Sequence, residues 1–240
     1  MPDPAPPVEF AAVLVMAGSG SRLGADAPKA FVPLGGKALW RHAAETFASM
    51  AACRAIVFVA PQDRVDEVRA AWRADGRCLA RFVAGGARRQ DSVRIGLSEV
   101  PPDVAVVAIH DAARPFIDAE TIATAVAEAA RIGASLVAAP VRDTIKRVSD
   151  GCVAETLDRS ALWQAQTPQC FRLDLVRRAH EAAEKSGWEV TDDCALLERL
   201  GHEVAVVRGG AWNFKITDKD DLAAAEALYA RRGGTGKEMR

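Results

Sequence analysis

No run of apolar residues in this chain reaches the roughly 18 positions that a membrane-crossing helix needs, so no membrane span is expected. There is no H-E-x-x-H and no C-x-x-C, and the four histidines stand apart. The five cysteines (Cys53, Cys78, Cys152, Cys170 and Cys194) are scattered and odd in number. That argues against a disulfide framework or a zinc site and for thiols in a reducing cytosol. The net charge is −1 with no long basic block, so nucleic acid is not the expected partner and any anion site must be local. The opening MPDPAPPVEF is acidic and proline-rich, unlike a signal peptide. Residues 1–8 and 232–240 read as flexible ends.

What is present is an ordinary soluble composition over 240 residues, 50% apolar and 26% charged, long enough to bury a real core. Short apolar runs alternate with helix-like segments. Strands are expected at 10–16, 55–60, 81–84, 104–110 and 135–140, and helices at 39–50, 64–73, 91–99 and 120–131. This rhythm predicts an α/β protein: a Rossmann-like, mainly parallel sheet with helices on both faces. Residues 141–157 change the rhythm, alternating apolar and polar around Asp150-Gly151, a hairpin signal. The pattern fits a projecting β-hairpin arm or an antiparallel edge of the main sheet. A helix at 173–185, a capped helix from near Thr191, strands at 203–207 and 213–216 and a last helix at 218–230 complete a single domain over 9–231.

The stretch VLVMAGSGSRLGADAPKAF raises the functional question. An apolar strand breaks into Gly18 and Gly20, then Arg22, then Pro28-Lys29. A dinucleotide fingerprint is excluded because its third glycine position holds Leu23, with Gly24 one residue late. A Walker A loop is excluded because neither glycine has its partner, and Gly36-Lys37 is followed by Ala38. Pro28 opposes an immediate long helix. The loop instead presents backbone amides and returns two cations, a guanidinium fork and an ammonium, suited to a polyphosphate. By spacing alone, a glycine turn with two solvated cations fits as well.

Three further segments bear chemistry. GGARRQDSV puts Gly85-Gly86 after a short strand and Ser92 at a helix start; the plain reading is a strand, a turn and a capped helix, with Arg88 and Arg89 on a solvated face. IHDAARPF closes the most buried strand with Asp111 and Arg114, where ligands collect in open α/β sheets, or forms an Asp-capped turn with Arg114 as its partner. Late in the chain, VRDTIK, LDRSALWQAQTPQCF, VTDDCALLE and NFKITDKDDL bring Thr144, Arg159, Thr167, Thr191 and Lys215. Each alone reads as a surface residue or a cap.

Taken in order, these segments resemble the sugar-phosphate nucleotidyltransferases (A-G-x-G-x-R-[ML]-x(n)-P-K) and, within them, the 2-C-methyl-D-erythritol 4-phosphate cytidylyltransferase family, over nearly the whole chain. Where that family usually has Pro-Ala-Ala-Gly, this chain has Val15-Met16-Ala17-Gly18, a change that backbone contacts survive. The resemblance implies the nucleotidyltransferase fold and transfer of CMP from CTP to 2-C-methyl-D-erythritol 4-phosphate, in the non-mevalonate isoprenoid pathway of the cytoplasm. It implies that Arg22, Lys29 and Lys215 are catalytic. It assigns the nucleotide to Ala17, Gly18, Gly20, Gly86, Ser92 and Asp111, and the acceptor to Arg114, Thr144, Arg159, Thr167 and Thr191. Mg²⁺ is the implied cofactor, held mostly by CTP phosphates with Asp111 nearby. The arm at 141–157 is implied to embrace a second subunit, giving a homodimer. No base is needed, because the attacking phosphate is already ionised; cations and positioning do the work. The nearest rival acceptor is ribitol 5-phosphate. A nicotinamide-dependent oxidoreductase is disfavoured by the glycine spacing and by the absence of an acidic residue where the second strand ends in FVAPQ. No second fused activity is expected.

Overall fold

The computed structural model describes residues 7–18, 28–72 and 78–232; the expected flexible ends lie outside these apart from positions 7, 8 and 232. In chain order the elements are β1 (Phe10–Val15), β2 (Pro33–Leu34), β3 (Lys37–Ala38), α1 (Leu39–Ser49), β4 (Cys53–Ala60), α2 (Val65–Ala71), β5 (Leu79–Ala84), α3 (Arg89–Ser98), β6 (Val106–Asp111), α4 (Ala119–Ile132) and β7 (Ala134–Pro140). There follow β8 (Lys146–Ser149), β9 (Cys152–Thr156), β10 (Trp163–Arg172), α5 (Leu173–Ser186), α6 (Cys194–Arg199), β11 (Ala205–Arg208) and α7 (Lys219–Arg231).

Seven strands form one sheet in the order β11-β7-β10-β6-β1-β4-β5. The pairs β1–β4, β1–β6, β4–β5 and β7–β11 are parallel, as the apolar runs predict. Strand β1 shows why. Phe10, Ala12 and Leu14 face a core shared with Trp40 and Phe47 of α1 and with Ile122 and Val126 of α4. Ala11 and Val13 face the opposite core, with Val93 and Leu97 of α3 and Val176 and Ala179 of α5. A strand buried on both faces has no polar side to alternate with.

Strand β10 departs from the expected plan. It is antiparallel to both neighbours, and it lies inside the sheet between β6 and β7. Its sequence, WQAQTPQCFR, hides it, because a proline and three glutamines argue against a central strand. The ladder accommodates them with a register shift between Ala165 and Gln169, in the stretch that holds Pro168. Two other expectations are corrected. Residues 213–216 form no strand; Ile216 instead packs against Leu39, Phe116 and Ala225. The helix expected from near Thr191 begins at Cys194, with Asp193 as its N-cap residue.

The hairpin β8–β9 is a two-stranded sheet of its own, with every residue exposed, so it is not an edge of the main sheet. Its turn is the one Asp-Gly specifies. Asp150 (φ 51°) and Gly151 (φ 78°) both adopt positive φ, the requirement of the tight hairpin turn that matches strand twist.

Helix α3 approaches the sheet closely. A Cβ placed on Gly96 would lie 2.6 Å from Val13 Cγ1 and 2.8 Å from Val59 Cγ2. Gly96→Ala gains up to about 1 kcal/mol of helix propensity but overpacks a rigid interface at about 1–3 kcal/mol. The overpacking should win, so the variant is expected to unfold at lower urea than the parent. A midpoint equal to or above that of the parent would refute the close-packing account.

Candidate active site

Two clusters gather at the carboxyl ends of the parallel strands, where the fold leaves a crevice. The first joins the ends of β1 and β5. The Met16 amide donates to Val59 O (2.9 Å), and the Gly85 amide donates to Ala60 O (2.8 Å). A Cβ on Gly85 would sit 2.3 Å from Ala17 Cβ and 2.7 Å from Ser92 Oγ, so glycine is required for this approach. Ser92 Oγ accepts from the Gly86 amide (3.1 Å) and donates to Arg88 O (3.1 Å). Ala17, Gly86 and Ser92 are therefore brought together, as expected from the sequence.

The second cluster is built on Asp111, the last residue of β6. Its Oδ2 accepts from Lys215 Nζ (2.6 Å) and its Oδ1 from Arg89 Nε (3.2 Å). Burial opposes the charge of this carboxyl. Arg89 and Lys215, with Arg114 beyond them, overcome that penalty and hold it below the usual carboxylate range. A chain of buried hydrogen bonds fixes the backbone beneath it. The Asp111 amide donates to Thr167 Oγ1 (3.1 Å), which lies 3.0 Å from His110 Nδ1; His110 Nε2 lies 3.1 Å from Arg114 O. A carbonyl can only accept, so Nε2 has the proton and Nδ1 accepts from the threonine hydroxyl. Burial keeps this imidazole neutral, pushing its pKa down to about 4.

Arg114 donates to Asn213 O (2.8 Å) and Ala165 O (3.4 Å), and the Asn213 amide donates to Thr167 O (2.9 Å) and Gln166 Oε1 (3.1 Å). The polar residues that obscure β10 in the sequence thus hold Arg114 and Asp111 in place. Arg114 and Lys215 line one groove of about 1610 Å³, together with Arg142, Gln164, Arg208 and Trp212.

The other expected residues are spread over several elements. Lys29, half-buried, opens a short 3-10 turn after Pro28. Arg22 and Gly20 lie outside the described residues, and Gly18 ends the described part of its loop. Thr144 and Arg159 are exposed at the root of the hairpin, with Arg159 donating to Arg142 O. Thr191 is exposed ahead of α6. Among the described residues no side-chain hydrogen bond ties Thr144 or Thr191 to either cluster. The Thr167 hydroxyl is buried and engaged by Asp111 and His110.

Arg89 requires a correction. It is not on a solvated face: its side chain is 26% exposed and bridges Asp111 to the buried Asp193, donating Nη1 to Asp193 Oδ2 at 2.7 Å. Only Arg88 behaves as expected, exposed and paired with Asp91 and Glu189. Asp193 also meets His180 Nε2 (3.0 Å), and its amide donates to Gln169 Oε1 (2.9 Å). A signal for Arg89 was available. It precedes Val93 by one helical turn, and Ser92, Val93, Gly96 and Leu97 form the buried stripe of α3.

Glycine turns and paired cations at the strand ends of an open α/β sheet, without a dinucleotide fingerprint, define a nucleotide-using transferase. The family model for 2-C-methyl-D-erythritol 4-phosphate cytidylyltransferase matches residues 10–231, and the chain belongs to that family. An enzyme of that name from Halalkalibacterium halodurans is 42% identical over 226 residues, covering 94% of this chain and 99% of its own length. A bifunctional enzyme IspD/IspF from Rhodospirillum rubrum is 43% identical over 94% of this chain but 58% of its own. The crystal structure of the Thermus thermophilus 2-C-methyl-D-erythritol 4-phosphate cytidylyltransferase superposes with a TM-score of 0.77 at 33% identity, covering 93% of this chain and 100% of that one. The 4-diphosphocytidyl-2C-methyl-D-erythritol synthase of Anaerococcus prevotii gives 0.82 at 27% identity, covering 93% and 99%.

The neutral His110 makes stability depend on pH. The unfolded chain takes up this proton below about pH 6.5, whereas the folded protein resists it down to about 4. The contribution is therefore fully present above pH 6.5 and is lost progressively as pH falls towards 4, about 3 kcal/mol in all. Urea midpoints measured across that window should fall as the solution is acidified. An imidazole resonance of His110 titrating near 6.5 in the folded protein would contradict this.

Proposed function

We propose that this protein transfers CMP from CTP to 2-C-methyl-D-erythritol 4-phosphate, releasing pyrophosphate, as a cytoplasmic enzyme of the non-mevalonate isoprenoid pathway. The observation that bears most weight is that Asp111, bonded by Lys215, ends β6 opposite Val15 of β1 and is joined through Arg89 to the helix that carries Ser92. Ser92 Oγ, which donates to Arg88 O and accepts from the Gly86 amide, keeps one acceptor site for the amino group of a pyrimidine edge, and the cations suit phosphates. The acceptor phosphate, already ionised, forms a bond to the α-phosphorus of CTP while the bond to the β-phosphate oxygen breaks and pyrophosphate leaves. An anion attacking an anionic centre needs charge compensation rather than a base. Lys29, Arg22 and Lys215 are assigned that role, Arg114 grips the acceptor, and Arg159, Thr144 and Thr191 contribute from the hairpin root and the loop before α6. Thr167 acts by holding Asp111 and His110.

Mg²⁺ fits this donor chemistry. Asp111 is a hard oxygen ligand, and few protein ligands are needed where phosphates supply the rest. Both Asp111 oxygens are engaged by Arg89 and Lys215, so the nucleotide's own oxygens would hold most of the ion, which when bound neutralises the triphosphate. None of the five cysteines is in a disulfide, which supports a reducing compartment. No described helix is long and apolar enough to cross a membrane.

The partner protein in this reading is a second copy of the chain. On the hairpin, Val148 and Val153 pair across the strands at 59% and 62% exposure, and Trp163, at the start of β10, is 41% exposed. An apolar pair this open is matched to a self-complementary contact. Sedimentation of a Val148→Asp/Val153→Asp variant should show monomers where the parent shows dimers. Equal sedimentation of the two would remove the hairpin from the interface.

The function is tested by pyrophosphate release with CTP and 2-C-methyl-D-erythritol 4-phosphate, with ribitol 5-phosphate, ATP and GTP as controls. Release only when CTP and the methylerythritol phosphate are present together, and not with ATP or GTP in place of CTP, is the expected result; faster release with ribitol 5-phosphate would reassign the acceptor. In the same assay Lys29→Ala should lose about a hundred- to a thousandfold in turnover, the usual cost of one transition-state contact. Near-normal turnover would take Lys29 out of the chemistry.

A further inference from the structure

We infer that Arg89 is a positioning residue for the reaction, acting through Asp111: it locks that carboxylate in a fixed relation to both the Gly86–Ser92 turn and the loop ahead of α6. The inference rests on the cytidylyl-transfer reading above. Its basis is the division of labour within one guanidinium. Nε donates to Asp111 at the end of β6, and Nη1 donates to Asp193, the N-cap residue of α6. Asp193 cannot yield, being 1% exposed and held from its other side by His180 and, through its amide, by Gln169. Arg89 itself stands in the first turn of α3, the helix whose Ser92 fixes the Gly86 amide. Three segments distant in sequence therefore meet at one planar cation, and the direction of the fork sets the direction of the Asp111 carboxylate.

A bland alternative is that Arg89 only neutralises Asp193. The two accounts differ when the charge is kept and the fork is lost. Arg89→Lys keeps the charge, but a single ammonium replaces two separately aimed nitrogens. Arg89→Gln combined with Asp193→Asn removes one cation and one anion together, leaving the net charge of the site unchanged. If Arg89 positions Asp111, neither change restores function.

The experiment measures kcat and KM for CTP and for 2-C-methyl-D-erythritol 4-phosphate in the full-length protein, with thermal melts of each variant. Arg89→Gln should lose about a hundredfold in kcat/KM, mostly in kcat, as expected for misplacement rather than lost affinity. Both Arg89→Lys and the double variant should stay at least about tenfold below the parent while melting well above the assay temperature. Recovery of either to within about threefold of the parent would overturn the positioning role in favour of charge neutralisation. If Arg89→Gln is unfolded at the assay temperature, the lysine variant decides alone, because it retains a cation against both carboxylates. A parent protein that releases no pyrophosphate would overturn the functional reading and this inference with it. Full activity in the parent, matched by the Arg89 variants, would overturn the inference alone.

Discussion

The buried carboxylate of Asp111 is the constraint around which the rest of the site is arranged. A carboxylate taken out of water is tolerated only when its charge is compensated and its oxygens are hydrogen-bonded. Here Arg89 takes one oxygen and Lys215 the other. Each partner needs support in turn, and the support is what gives the site its shape. Arg89 is held by a second buried carboxylate, Asp193. Lys215 follows directly on a loop whose Asn213 is bonded to β10. Withdrawing one partner from a buried ion pair generally costs about 3–5 kcal/mol, so the cluster is poised to resist disorder as well as to meet a ligand.

Strand β10 makes this arrangement possible. An all-parallel sheet would bring only strand ends to the crevice. An antiparallel strand running past β6 instead presents three interior polar side chains within four residues, Gln166, Thr167 and Gln169. Thr167 bonds the Asp111 amide, Gln166 meets Asn213 and Gly210, and Gln169 meets the Asp193 amide. The register shift between Ala165 and Gln169 takes Gln166 and Thr167 out of the paired register with β7, while Gln169 resumes it, and the strand thereby reaches β6, α6 and the Lys215 loop together.

The same residues mark where the sequence was legible and where it was not. Strands buried on both faces announce themselves as apolar runs, which is why β1, β4, β6 and β7 were readable. The Asp-Gly turn announced the hairpin because its backbone needs positive φ. Strand β10 was unreadable because its inward side chains are polar for the sake of the site. Residues 213–216 misled in the opposite way. Their alternation is real, but Asn213 serves β10 and Ile216 a small core with Phe116, with no ladder between them. The Gly85-Gly86 turn and the place of Asp111 at the end of the most buried strand were legible from motifs whose geometry is local. The inward face of Arg89 could be read from the buried stripe of α3, but its pairing with Asp193 could not, because it joins α3 to α6, a contact that only the tertiary fold creates.

The charge balance of the cluster follows from the chemistry proposed for it. Arg89, Arg114 and Lys215 face Asp111 and Asp193, leaving one positive charge in excess in a chain whose overall charge is −1. A site for a triphosphate and a phosphate monoester needs a local positive field, yet bare cations packed this closely would repel one another. The two carboxylates resolve the conflict, because they hold the cations at fixed positions before any ligand arrives. Lys215, about one-third exposed, is the member of the group open to exchange a carboxylate oxygen for a phosphate oxygen. Asp111 would remain compensated by Arg89 through that exchange, because Arg89 has its own anchor in Asp193. On the proposed reading, the buried half of the network holds the exposed half in position.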